Sequence, residues 1–152
     1  MIPKKIFTVW LTDNDTIPVL VAKCITSQKI PGYEHKIITL ENCWHNKYVD
    51  DAIKAKQWGK ACDYLRIHYL IEEGGIYLDA DIEMMPNRNF DALLGNHIFA
   101  GQENNGFVNT AVIGGKTGID TQMRNIKIGQ KIGFKFIDEK PSKTKGFAPA
   151  KN

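Results

Sequence analysis

Two aspartates separated by one residue, Asp79 and Asp81 in the run Ile76-Tyr77-Leu78-Asp79-Ala80-Asp81, stand out as residues whose types and spacing could do chemistry. If the segment stays extended, alternate side chains point the same way, so both carboxylates can face one cation, or a cation with its bound diphosphate. An all-oxygen site of that kind suits Mn2+ or Mg2+. Asp-x-Asp alone is also what two solvated acids at a strand end look like, so the neighbouring residues must decide. Upstream, Asp63 and Arg66 are three apart and share one face of a helix, where they can pair with each other or reach a polar ligand together. Arg66 would offer a planar fork to a phosphate or a sugar hydroxyl, and Asp63 would accept from sugar hydroxyls. The plainer reading is an exposed ion pair of little energetic worth.

The elements that must position these groups can be read from pattern. Lys5 to Leu11 is apolar and β-branched, as a buried first strand would be, and it stops at the polar cluster Thr12-Asp13-Asn14-Asp15. Thr16 followed by Ile17-Pro18 reads as a helix start, with Leu20, Ala22, Cys24 and Ile25 as the apolar positions of a helix to about Lys29. Tyr33 to Leu40 reads as a second strand and Ala52 to Gln57 as a short helix. The run from Lys60 to Glu73 has Cys62, Leu65, Ile67, Tyr69 and Leu70 at helical spacing and ends at Gly74-Gly75, where glycine can take a left-handed cap. That cap lets the helix turn back tightly into the short strand Ile76 to Leu78, which delivers the acidic pair at its carboxyl end. His97 to Ala100 and Phe107 to Ile113 are further strands and Ile119 to Ile132 a last helix. Alternating strands and helices predict an α/β fold around a mostly parallel sheet, with ligands bound beyond the carboxyl ends of its strands.

The chain has 152 residues, 43% of them apolar and 24% charged, which suits one globular domain over residues 1–139. A net charge of +3, with lysines dispersed, gives no reason to expect nucleic acid. The stretch 140–152 is basic and rich in Pro, Ser and Gly; it reads as a solvated tail, or as a segment suited to rest on an anionic membrane surface. With no apolar run long enough to span a bilayer and no secretory leader, the sequence points to the cytoplasm, with peripheral contact at the inner face of the membrane. Cys24, Cys43 and Cys62 lack the close pairs of a zinc site, and their odd number argues for free thiols. The histidines His35, His45, His68 and His97 are scattered without metal spacing and receive no role.

The stretch Ala61-Cys62-Asp63-Tyr64-Leu65-Arg66, continuing through Leu70 and Gly74-Gly75-Ile76-Tyr77-Leu78-Asp79-Ala80-Asp81, resembles the signature of the sugar-binding-region glycosyltransferases that carry a DXD motif, glycosyltransferase family 32. That group includes capsular-polysaccharide transferases and initiating α-1,6-mannosyltransferases. The opening Ile2-Pro3-Lys4-Lys5-Ile6 with Trp10 is similar to the family's first strand, and the resemblance covers roughly residues 2 to 115. It implies a GT-A-type, Rossmann-like fold, a UDP- or GDP-sugar donor, a divalent metal, a glycan or lipid-linked glycan acceptor, and transfer with retention at the anomeric carbon. Position by position, it implies that Asp79 and Asp81 serve the metal, the diphosphate and the donor sugar, and that Asp63 and Arg66 serve the donor sugar. Trp10, Gly75 and Tyr77 join the donor and nucleotide side, with Trp10 stacking on the base unless it is a core aromatic, and Asn109 falls on the acceptor side. Phe7 replaces a histidine and Cys62 a serine of the family pattern, and the family's later C-terminal motifs are absent, as in a fragment truncated at that end, a minimal enzyme or a decayed paralogue. A non-catalytic nucleotide-sugar-binding module is the alternative. A phosphatase of the haloacid dehalogenase type is a weaker rival, because those enzymes carry Asp-x-Asp on the first strand and here it lies mid-chain.

Overall fold

A computed structural model describes residues 1–14, 16–102 and 106–118. The expected helix 119–132, the tail 140–152 and the boundary at residue 139 lie outside the described residues. Eight main elements follow in order: β1 (Lys5–Val9), α1 (Val19–Ser27), β2 (Glu34–Ile38), α2 (Lys47–Lys54), α3 (Trp58–Glu72), β3 (Gly75–Leu78), β4 (Ile98–Gln102) and β5 (Val108–Gly115), with a short 3-10 turn at Asp91–Leu93. The strands form one sheet in the order β2-β1-β3-β5-β4. β1 is parallel to both β2 and β3, whereas β5 is antiparallel to both β3 and β4. Four of the five strands therefore run one way, which is the mostly parallel α/β sheet expected from the sequence.

Alternation along the strands divides the core between the two faces of the sheet. Phe7, Val9, Tyr77 and Ile113 face a cluster completed by Val49 and Ala52 of α2 and by Ala61, Leu65, Tyr69 and Leu70 of α3. Ile6, Ile76, Leu78 and Phe99 face the other way, onto Ile2, Ile30, Phe90 and Leu94. Thr8 shares that second face and meets α1 there through Gln28.

Helix boundaries depart from the sequence reading where caps decide them. α1 starts after Pro18, which keeps an extended ψ of 142°, and not at Thr16. Of its expected apolar positions only Cys24 and Ile25 are buried; Leu20 is 68% exposed and Ala22 is also exposed. α2 begins five residues earlier than expected, because the Asn46 side chain caps it by accepting from the Val49 N–H. All three cysteines are free, as expected. Among the described residues no helix is long and apolar enough to cross a membrane.

The return from α3 into β3 depends on two glycines. Gly74 takes φ +66°, and its N–H bonds the Leu70 carbonyl. Gly75 takes φ +130°, and a Cβ there would lie 2.6 Å from the Lys5 carbonyl oxygen. Between them and α3, Glu73 receives Lys5 Nζ and Lys36 Nζ, each at 2.7 Å, and so ties the helix end to β1 and β2. Burial pushes the Glu73 carboxyl up, but the two ammonium groups outweigh it and hold the carboxyl below its ordinary value.

Two outcomes follow from this corner. Gly75→Ala lowers stability by about 1–3 kcal/mol from backbone conformation alone, before any cost of the Lys5 contact, as read by urea unfolding. Glu73→Gln costs on the order of 1 kcal/mol or less at neutral pH, since the pairs are partly solvated. Because the folded Glu73 value is depressed, the wild-type advantage is complete above the ordinary glutamate range and vanishes as pH falls through the folded value. Unfolding curves of both proteins across acid pH check this.

Candidate functional site

The buried face of α3 carries one charge, Arg66, only 6% exposed, and its contacts gather the site. Its Nη1 donates to the carbonyl oxygen of Thr110 at 3.0 Å and to the Thr110 hydroxyl at 2.6 Å. Its Nη2 donates to Asp79 Oδ1 at 3.0 Å and lies 3.2 Å from Asp63 Oδ1. The guanidinium also stacks over the Tyr77 ring, 4.5 Å from its centre. The pair expected at i, i+3 on one helix turn is thus formed, and it is part of a larger cluster.

Asp79 follows the last residue of β3. Its N–H bonds the Ala111 carbonyl at 2.8 Å, which prolongs the β3–β5 pairing by one residue. The chain then bends: the Ile82 N–H returns to the Asp79 carbonyl at 3.0 Å, closing a turn over Asp79–Ile82. The extended segment that would place both carboxylates side by side is therefore not present, because the turn separates their settings. Asp79 is largely buried, with 13% of its side chain exposed, and Asp81 is exposed. Tyr77, 2% exposed, donates its hydroxyl to Asp79 Oδ1 at 2.7 Å. Both bonds to Asp79 fall on Oδ1, which leaves Oδ2 without a protein partner among the described residues.

Burial dominates the electrostatics. It pushes the Asp79 carboxyl above its ordinary value, with nearby Asp81 adding to the rise and Arg66 and Tyr77 opposing it. Burial raises Asp63 as well, helped by Asp79 and opposed by Arg66. The Tyr77 hydroxyl is pushed well up by burial and stays a donor. Burial also drives the Cys62 thiol up to about 12, so it is a neutral group and no nucleophile.

Trp10 directly follows β1, at the same end of the sheet. Its N–H bonds the Ile38 carbonyl at 2.8 Å, while its indole N–H is buried and finds no acceptor among the described residues. Arg66 Nε is in the same position. Asn109 lies in β5 beside Thr110, and its side chain accepts from the Ala111 N–H at 2.7 Å. Because β5 runs against β3, its first residues lie at the end where β3 finishes, which brings Asn109 and Thr110 to the acidic turn. Gly75 is a correction: it begins β3, at the opposite end from Asp79, packed under the Lys5 carbonyl. The outer side of Asp63 borders an open groove of ≈ 630 Å³ along α3, where Trp44 stacks on His68 at 3.9 Å and lies parallel to Tyr64.

Two contributors escaped the sequence reading. Thr110, which takes both bonds from Arg66 Nη1, sits in a strand pattern that gave no signal. Gln28, fully buried, donates its side-chain amide to the carbonyls of Asp79 at 2.9 Å and Ile82 at 2.8 Å. Its signal was legible: a polar residue four after Cys24 and three after Ile25, on the face that those two bury.

The profile of capsular polysaccharide synthesis proteins matches residues 1–112, a span that includes every group just described. The chain belongs to that family. No curated protein matches it. Among solved structures, the PaToxG glycosyltransferase is similar, with a TM-score of 0.57 at 18% identity over 87% of this chain. The match covers 62% of that structure, so the chain spans less than two thirds of its length. The likeness shows that the chain has a glycosyltransferase fold.

Removing Arg66 leaves the Asp79 carboxyl largely buried with only the Tyr77 hydroxyl as partner among the described residues. Arg66→Met is therefore expected to cost about 3–5 kcal/mol in urea unfolding. Asp63→Asn, at a side chain 37% exposed, is expected to cost under about 1 kcal/mol.

Proposed function

We propose that the chain is a metal-dependent, retaining glycosyltransferase of GT-A type, moving a sugar from a nucleoside-diphosphate sugar to a hydroxyl of a glycan or lipid-linked glycan in surface polysaccharide synthesis. The observation that carries this reading is the site at the carboxyl ends of β1 and β3. An exposed Asp81 stands beside a largely buried Asp79 with one open oxygen, and two buried donors, Trp10 Nε1 and Arg66 Nε, lack acceptors among the described residues. Buried donors of this kind favour a ligand rich in acceptor oxygens, as phosphates and sugar hydroxyls are. Family membership and the glycosyltransferase fold support the same reading.

The residues present fit a divalent metal. Among the described residues no three His, Cys, Asp or Glu side chains converge, but hard cations with phosphate ligands need only one or two carboxylates. Asp81 would hold the ion directly, and Asp79 Oδ2 would hold it through water or bind the ribose. When bound, a divalent cation neutralises charge gathering on a departing diphosphate. The protein's own part is to present a fixed pattern of charge. Arg66 and Tyr77 hold Asp79 in one orientation, and Asp63 and Arg66 offer an acceptor and a donor to the donor sugar's hydroxyls. Trp10 would stack on the base. On the acceptor side, Asn109 lies at the start of β5, and the groove beside Asp63 offers the Trp44, Tyr48 and Tyr64 rings as faces for sugar rings.

Calorimetric titration with UDP and GDP, with and without Mn2+, tests the reading. Metal-dependent binding of one nucleotide is expected. Asp81→Asn should weaken it at least about tenfold while the unfolding free energy moves within about 0.5 kcal/mol, as for an exposed residue. Absence of binding to either nucleotide would overturn the proposal, and binding without sugar transfer would leave a nucleotide-sugar-binding module. Because Asp79 and Asp63 titrate above the ordinary aspartate range, and a cation favours their ionised forms, affinity should weaken on acidification before ordinary carboxylates protonate. The same titration at descending pH reads this.

A further inference from the structure

The acidic turn is held from the opposite face of the sheet by a chain of side chains whose proton order can be deduced. Gln28 and Thr8 are fully buried. The end of Gln28 that meets the Asp79 and Ile82 carbonyls, at 2.9 and 2.8 Å, must be its NH2, because carbonyls only accept. Its Oε1 therefore faces Thr8 Oγ1 at 2.5 Å, and the Thr8 hydroxyl must donate to it. The single hydroxyl proton is then committed, so the 3.0 Å contact between Thr8 Oγ1 and His35 Nε2 requires the imidazole to donate. His35 is thus the Nε2–H tautomer, which agrees with an Nδ1 that is buried and has no donor among the described residues.

Two more tethers leave the last turn of α1. Ser27 Oγ accepts from the Met84 N–H at 2.8 Å, and Cys24 Sγ reaches the Asp81 carbonyl at 3.5 Å. Four backbone groups between Asp79 and Met84 are thereby held by three side chains within five residues of one helix.

We propose that Gln28, seated by Thr8 and His35, is the positioning residue of the acidic turn and sets where the Asp81 carboxylate stands for ligand. This rests on the reading above that Asp81 faces a metal-bound nucleotide. Gln28 touches no ligand itself and acts through the turn.

The test compares Gln28→Met, which keeps shape and removes both donors, with Ile25→Val, which trims a buried apolar side chain of the same helix and leaves every hydrogen bond to the turn in place. In Gln28→Met, amide hydrogen exchange at Ile82 and Met84 should rise at least about tenfold relative to the Trp10 amide. The Kd for UDP or GDP with Mn2+, whichever binds wild type, should weaken about tenfold or more. In Ile25→Val both readouts should stay within about twofold, apart from any uniform change in exchange. Should Gln28→Met fail to fold, Thr8→Val removes the seat and leaves Gln28 in place, with smaller shifts of the same sign expected. A uniform rise in exchange across turn and strands, or an unchanged Kd, overturns the proposal. Wild type that binds no nucleotide overturns the functional reading instead, and the exchange pattern then decides the role of Gln28 alone.

Discussion

A guanidinium taken out of water has to be met by acceptors, and in this protein the burial of Arg66 constrains everything around it. Its partners come from three places in the chain: Asp63 one turn away on its own helix, Asp79 beyond β3, and Thr110 in β5. The Tyr77 ring lies under the guanidinium and the Tyr77 hydroxyl completes Asp79. Neither Asp79 nor Thr110 can move without leaving a charge or a dipole unmet in the core, whereas Asp63, 37% exposed, can turn to solvent. The fold therefore tolerates a buried cation only in the arrangement that also turns one oxygen of Asp79 outward.

The acidic turn is gripped from both faces of the sheet, and by chemically different means. On the α3 face the contact is charged and reaches the Asp79 side chain. On the α1 face it is neutral and reaches the backbone, through Gln28, Ser27 and Cys24. A side chain held by one set of bonds and a backbone held by another leave little freedom to the residues between them. That division of labour follows from strand alternation, since Tyr77 points to one core and Thr8, on the neighbouring strand, to the other.

The sequence made the architecture legible because the strands and α3 have strong apolar patterns and because Gly74-Gly75 ends α3 without ambiguity. The order of elements, the mostly parallel sheet and the placing of Asp63, Arg66 and Asp79 near one strand end all follow from those patterns. Helix starts were less legible. Pro18 and Asn46 set the boundaries through backbone angle and side-chain capping, which periodicity does not encode. The relation of Asp79 to Asp81 was read on the condition of an extended segment, and a turn follows β3 instead. Gly75 was grouped with the ligand-binding positions because it adjoins the motif, yet adjacency along a strand can mean opposite ends of it. Thr110 acts through a hydroxyl and a carbonyl brought in by tertiary pairing, and its neighbours in sequence announce nothing of it, whereas Gln28 was readable as a polar residue on the buried face of α1 but its backbone partners were not.

The parallel pairing of β1 with β3 aligns Ile6 with Ile76, and everything from α1 to α3 lies in the crossover between them. During synthesis β1 can pair with β2 early, but its other edge stays open until β3 leaves the ribosome. Arg66 is made before both Asp79 and Thr110, so α3 cannot settle onto the sheet until the chain has grown past its partners. In half-made chains the guanidinium therefore stays in water, and the acidic turn gains its full set of partners only with the closing of the sheet.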